Sequence, residues 1–321
     1  MPVYASVDVG SNTIRLLVAE VKDNEIIDIF SDRKTTRLGN KVDQTGLLQD
    51  ENMKASIDVL KEFSSLISKH GAKHVKAVAT SALREASNSD IFIKEVFDAT
   101  GISIEVISGE KEAELTLKGI LSSLPDLGFS FALGGQDSAF IVDIGGGSSE
   151  WILYRGQNNV DMGSISVGVI KLVQKYIKTD PISESDIHAL KNEIIPALND
   201  LKKEIGHHIN KKTCFIGTGG TFTTIASIDQ GLETYSREKI HLHRIPLSRL
   251  QDISKNLLDL PLGERKKVKG LEPGRADLII PGILFTINIM DFFALNELRI
   301  SDYGILEGVL LELKETNEKN I

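Results

Sequence analysis

The sequence predicts an α/β protein built from two similar domains. Strand-like apolar runs alternate with segments of helical period along the whole chain. A strand, glycine turn, strand unit occurs twice, beginning at Asp8 and at Asp143, with a constant offset of 135 residues. The length, 321 residues, exceeds what one ordinary core organises and suits two.

Composition narrows the class. Apolar residues make up 41% and charged residues 26%, as in a globular protein in water. No apolar run is long enough for a membrane span, and no basic-then-apolar leader opens the chain, so no membrane role and a cytoplasmic setting are expected. The lone Cys214 fits a reducing compartment and, inside an apolar run, reads as a structural thiol. A net charge of −8 argues against nucleic-acid binding, while local cations can still meet a small polyanion.

Residues 3–10 form a strand ending in Asp8 and Gly10. Ser11, Asn12, Thr13 and Arg15 follow, then a strand over 16–21. Residues 26–42 read as a strand and a loop carrying Arg33, Lys34, Arg37 and Lys41. Such a run is ordinarily a solvated face, but it directly follows the first glycine turn. Met53, Ile57, Leu60, Phe63 and Ile67 set a helix over 51–70. A short strand ends at Thr80, a helix covers about 89–98, and a strand covers 102–107. A further helix opens at Glu110, where Glu112 can simply complement the helix dipole.

Residues 122–136, with Pro125, Gly128, Gly134 and Gly135, suggest a hinge, placing a first domain at 1–127 plus 304–321 and a second at 128–303. Residues 141–154 repeat the strand, turn, strand unit. A helix starts near 169 and a long one covers 183–207. Residues 213–216 form a strand leading into Gly217-Thr218-Gly219-Gly220 and a helix start, a natural anion site. Helices follow at 247–260 and 276–294, a strand at 298–301, and a closing helix at 304–313 before a charged tail that frays. His207, His208, His241 and His243 lack partners at zinc spacing, and 241–244 reads as strand.

The stretch Asp143-Ile-Gly145-Gly146-Gly147-Ser148-Ser149-Glu150 carries the chemistry. A turn without side chains lets backbone N–H groups close on an oxyanion. Two carboxylates beside a phosphate repel it unless Mg²⁺ stands between, because hard cations take oxygen ligands. A phosphate and Mg²⁺ site is the expectation, although glycine turns alone are also ordinary in hairpins.

Taken together, three glycine turns after strands resemble the actin, sugar-kinase and Hsp70 (ASKHA) superfold. The details resemble one branch of it, the exopolyphosphatase and guanosine pentaphosphate phosphohydrolase (Ppx/GppA) family. The stretch from Asp8 to Leu17 is similar to that family's first phosphate motif, and Thr80-x-Ala82-x-Arg84-x-Ala86-x-Asn88 to a second. Ser108-Gly109-x-x-Glu112-Ala113 and Asp143-x-Gly-Gly-Gly-Ser-x-Glu150 are similar to a third and a fourth. Gly168, the Gly217 turn and Ser301-Asp302-x-Gly304-x-x-Glu307-Gly308 complete an ordered, full-length set. Lys111 stands where members often carry an acid, and Lys171 where they often carry arginine. The chain is similar to the short form, which lacks the C-terminal helical domain with its HD-type motif.

The resemblance implies two actin-like (ribonuclease H-like) domains with an active-site cleft between them, and hydrolysis of a terminal phosphoanhydride. Glu112 would be the general base and Arg84 would stabilise the terminal phosphate. Asp143 and Glu150 would hold Mg²⁺. Asp8, Gly10, Ser11, Asn12, Thr13, Gly145, Gly146, Gly147, Ser148, Gly217, Gly219 and Gly220 would cradle phosphate oxygens. Arg15 would join them, or pair with a carboxylate inside the fold. The substrate would be inorganic polyphosphate or a guanosine penta- or tetraphosphate, with the basic run at 33–41 favouring polyphosphate. An ATP-dependent kinase and a non-catalytic alarmone sensor are the competing classes, and a homodimer is compatible with the family.

Overall fold

The computed structural model describes residues 2–22, 25–124, 138–156 and 159–319. The proposed hinge at 122–136 falls largely outside them. The chain divides into two compact units, Met1–Asp126 with Tyr303–Ile321, and Leu127–Asp302.

The first unit is built on five strands: β1 (Val3–Val9), β2 (Thr13–Lys22), β3 (Glu25–Thr35), β4 (His74–Ala79) and β5 (Ile104–Val106), in the order β3-β2-β1-β4-β5. β1, β2 and β3 pair antiparallel through short connections, and β4 and β5 join parallel to β1. Alternation along β1 explains why the sheet is buried on both faces. Ala5, Val7 and Val9 point into a core with Leu60 and Phe63 of helix Asp50–Lys69 and Phe92 of helix Ser89–Thr100. Tyr4 points the other way, into a cluster with Leu310 and Leu311 of helix Ile305–Lys319. That helix lies beside helix Gly109–Ser122, and both cover Val78 of β4.

The second unit holds six strands: β6 (Ser138–Ile144), β7 (Ser149–Tyr154), β8 (Val160–Ile165), β9 (Thr213–Thr218), β10 (Arg244–Pro246) and β11 (Glu297–Ser301). Their order is β10-β11-β9-β6-β7-β8. β6, β7 and β8 are antiparallel, β9 and β11 are parallel to β6 and to one another, and β10 adds an edge. Apart from that edge, this is the first sheet's order repeated. Both units are therefore actin-like, the second with one extra strand. Phe140, Phe215, Leu298 and Ile300 bury one face against helices Glu184–Ile205 and Ile279–Phe293. Ser183 opens the first of these with a capping box, its hydroxyl accepting from Asp186 N–H.

Three details differ from the sequence reading. β8 has no counterpart in it, because no residue of Val160–Ile165 is buried and the segment shows no apolar alternation. His241 and His243 are not in a strand: helix Arg237–Ile240 ends there and β10 begins at Arg244. The closing helix runs to Lys319, well past Leu313, where Lys118 holds Glu315 at 2.6 Å and Lys314 pairs with Glu318 one turn on.

Among the described residues no helix is long and apolar enough to cross a membrane, and no cluster of three or more His, Cys, Asp or Glu is placed to hold a metal. Burial pushes the Cys214 thiol up to about 11 and, helped by the charge of Arg237, pushes His241 down to about 4, so both are neutral at neutral pH.

Candidate active site

In the first unit, β1, β4 and β5 run parallel and end at one edge of the sheet, where the loops after parallel strands gather functional groups. After β1, Gly10 N–H donates to the Thr13 carbonyl at 3.2 Å and closes the hairpin. Ser11, Asn12 and Thr13 in this turn are all buried. Asp8 and Arg15 face each other across the β1–β2 pair. Arg15 Nε and Nη2 donate to Asp8 Oδ2 at 2.9 and 2.7 Å, so the internal pairing weighed for Arg15 is present.

After β4, helix Ser81–Glu85 carries Arg84. Its Nη1 donates to the Ile107 carbonyl, just past β5, and to Glu112 Oε2, both at 2.9 Å. Glu112 sits in the first turn of helix Gly109–Ser122, whose N-cap Ser108 accepts from Lys111 N–H. The first-turn position fits the dipole reading of Glu112, and the contact with Arg84 joins members of the second and third motifs. Asn88, the last residue of the second motif, exchanges two hydrogen bonds with the backbone of Leu48 and fixes a loop. Lys111 reaches Glu312 at 2.7 Å and Glu114 at 3.1 Å, which makes it a brace for the C-terminal helix.

The second unit repeats the turn. Gly145 N–H donates to the Ser148 carbonyl at 3.0 Å, and Asp143 and Glu150 occupy the facing positions that Asp8 and Arg15 hold in the first unit. Glu150 is 2% exposed, and its Oε1 accepts from Ser148 Oγ at 2.9 Å and Ser164 Oγ at 2.8 Å. The carbonyls of Gly145 and Gly146 accept from Val169 and Ile170 N–H, which ties helix Val169–Tyr176 to the turn. Lys171 Nζ donates to Ser166 Oγ. At the third turn, Thr221 Oγ1 donates to the Ile144 carbonyl and holds the two turns together. Gly219 has φ +78°, and a Cβ there would lie 2.2 Å from Asp143 Oδ1, so the Asp143 carboxylate rests against this backbone. Gly217 and Gly220 flank it, within β9 and helix Gly219–Asp229.

Sequence reasoning passed over Arg275. Its guanidinium lies against Gly220, where a Cβ would stand 2.2 Å from Nη1, and Nε reaches Glu272 at 3.3 Å. The only sequence signal was an arginine at a helix start after Pro273-Gly274.

The carboxylates can accept protons or coordinate hard cations, the turns can bind anions, and Arg84 can position a carboxylate. The model of the Ppx/GppA phosphatase family matches residues 17–317. The chain belongs to that family. It is 34% identical over 96% of its length to the bifunctional 3-dehydroquinate synthase/phosphatase of Fusobacterium nucleatum, of which it spans only 46%. It is 29% identical to Exopolyphosphatase 2 of Mycobacterium tuberculosis, covering 96% of this chain and 98% of that one. Among solved structures, an exopolyphosphatase from Cytophaga hutchinsonii shares 27% identity with a TM-score of 0.87 over 98% of both chains. Family membership and the two repeated sheets agree with the reading of the motifs.

Proposed function

We propose that this chain is an exopolyphosphatase, removing the terminal phosphate of inorganic polyphosphate by hydrolysis. The observation that carries the proposal is the Arg84–Glu112 pair, 2.9 Å apart, at the sheet edge that also bears the Gly10–Thr13 turn. A glutamate held at this edge by a guanidinium supports the reading of a base that acts on water, and the turn at the same edge suits phosphate oxygens.

In the proposed reaction a water oxygen attacks the terminal phosphorus while the bridging P–O bond breaks. The bond's electrons leave with the bridging oxygen of the shortened chain. Glu112 accepts the proton that the water loses, a contribution of about 10²–10⁴ in rate. Arg84 orients Glu112 and adds positive charge near the transferring group, for which a guanidinium is suited. The amides of Ser11–Thr13 cradle phosphate oxygens at this edge, and those of Gly145–Ser148 offer the same kind of anion site within the second unit.

The oxygen-only character of Asp143, Glu150 and the serines around Glu150 fits Mg²⁺, which binds through one or two carboxylates plus substrate phosphates. Asp143 and Glu150 would hold it, directly or through water. When bound, the ion supplies electrostatic stabilisation of the phosphoryl oxygens.

Phosphate release from long-chain polyphosphate and from guanosine pentaphosphate, each with Mg²⁺, tests the proposal. Release from polyphosphate supports it. Release from the nucleotide alone overturns the substrate assignment, and tight nucleotide binding without any turnover overturns the enzymatic one.

A further inference from the structure

At the end of the second sheet away from its glycine turns, the starts of β9 and β11 border a cavity of about 170 Å³ that the proposed reaction does not use. The two strands are parallel, so Thr213 and Glu297 open them at this end and Thr218 and Ser301 close them at the other. Cys214 lines the cavity and Thr218 precedes the third glycine turn. Strand rise puts roughly 13 Å between them, so the cavity is a place apart from that turn.

Local bonding shapes both walls. In the loop before β9, Asn210 N–H donates to Thr213 Oγ1 at 3.0 Å, and Asn210 Oδ1 accepts from Lys212 N–H at 2.8 Å, which leaves Lys211 in the middle of a closed turn. On the other side, helix Ile279–Phe293 ends at Ala294, and Leu295 N–H returns to the Met290 carbonyl at 2.8 Å before the chain enters β11. Between these walls lie Arg299 and Cys214, only 5% and 6% exposed. Arg299 Nε lies 3.5 Å from Glu297 Oε1, the one carboxylate in the lining. Lys211 stands at the exposed rim and has no ion pair among the described residues.

This lining suits an anion. A guanidinium carries five N–H donors in a fixed fork, so Arg299 can serve Glu297 and a bound anion together. Lys211 adds a second cation on a flexible stem. The neutral Cys214 thiol sets no charge against them. Size narrows the ligand further. At ~30 Å³ per water the cavity has room for about five or six waters. That matches a ligand of roughly five to ten heavy atoms, and it falls short of the ~300 Å³ at which pockets for larger ligands begin. A nucleotide or an extended phosphate chain is too large.

We propose that this cavity is a binding site for a small anion, a phosphate or a short carboxylic acid, held between Lys211 and Arg299. The site is independent of the exopolyphosphatase reading and stands or falls without it.

The test follows backbone amide shifts of the ¹⁵N-labelled full-length chain during titration with orthophosphate, with succinate, and with succinamide, a neutral molecule of the same shape. Amides 210–214 and 294–299 report on the cavity, and amides 145–148 report separately on phosphate at the glycine turn. The expected result is a saturable shift of both cavity segments with at least one of the two anions and none with succinamide. Phosphate alone or succinate alone upholds the site and names its chemistry. Lys211→Glu should weaken that binding at least about tenfold, the scale of a lost charge-assisted hydrogen bond. Lys212→Glu makes the same charge change outside the lining and should stay within about twofold, since exposed charges are screened. No saturable shift in the cavity segments overturns the proposal, even where amides 145–148 respond. So does a succinamide response equal to that of succinate, or an equal loss in the two lysine variants.

Discussion

Arg84 Nη1 donates to Glu112 Oε2 and to the Ile107 carbonyl, each at 2.9 Å, so one guanidinium nitrogen joins the ends of two parallel-strand connections. The contact spans 28 positions of sequence and gathers groups from the second and third motifs at one point. In a purely structural role, the pair would brace helix Gly109–Ser122 against helix Ser81–Glu85.

The two roles separate on substitution of Glu112 by Gln. The amide keeps the volume and still accepts from Arg84, but it takes no proton from water. We expect phosphate release to fall by about 10²–10⁴, the range for loss of a general base. Long-chain polyphosphate affinity and thermal midpoint should change little. Equal rates for mutant and wild type would remove Glu112 from the chemistry.

The Mg²⁺ assignment makes a prediction one shell further out. Ser164→Ala removes one of the two hydroxyls that donate to Glu150 Oε1. If Glu150 serves the metal, the Mg²⁺ concentration for half-maximal activity rises roughly 10–100-fold, the usual consequence of losing a hydrogen-bonded partner of a ligand. An unaltered Mg²⁺ curve would leave Glu150 a structural carboxylate.

Lys111 leads to a prediction about stability and pH. Burial lowers its pKa, but hydrogen bonds to Glu312 and Glu114 outweigh burial and the net shift is upward. Burial raises the Glu312 pKa, but hydrogen bonds from Lys111 and Lys76 outweigh it and the net shift is downward. The depressed Glu312 contributes stability above the ordinary carboxylate pKa that is lost as pH falls through its folded value. The raised Lys111 contributes stability below the ordinary lysine pKa that is lost as pH rises through its folded value. Lys111→Met should therefore cost about 0.5–1 kcal/mol at pH 7, a modest figure for a partly exposed pair. Urea titrations should show that difference closing as pH falls below the ordinary carboxylate range, through the depressed folded value of Glu312. A cost that persists once the carboxylates are protonated would assign it to packing of the lysine stem.

What the sequence made legible was local. The 135-residue repeat placed Asp8 and Asp143 at equivalent positions, and the structure puts both in strands closed by the same glycine-to-carbonyl hydrogen bond. Glu112 and Arg84 were readable as motif members, but their mutual contact was not. Lys111 looked like a departure at the site because its partner, Glu312, lies far along the chain. Arg275 was missed because nothing in the residues near it predicts that a guanidinium comes to rest on Gly220. Contacts set by strand order and helix docking have no signature in periodicity or spacing.

The docking of helix Ile305–Lys319 against helix Gly109–Ser122 is the most exacting of these. A Cβ added at Gly119 would lie 1.9 Å from the Gly304 carbonyl oxygen, and one at Gly308 would lie 1.9 Å from that of Leu115. Both obstacles are backbone atoms, which cannot rotate aside as a side chain would. Gly119→Ala should therefore cost about 3 kcal/mol, at the upper end of overpacking penalties. Gly263→Ala, where a Cβ meets nothing within 4 Å, is the control and should stay within about 0.5 kcal/mol. Urea midpoints decide the matter. If Gly119→Ala unfolds at the wild-type midpoint, the two helices do not approach at backbone distance. If it unfolds early while polyphosphate hydrolysis at low temperature is retained, the close approach serves stability, and Glu112, seven residues away on the same helix, keeps its position without it.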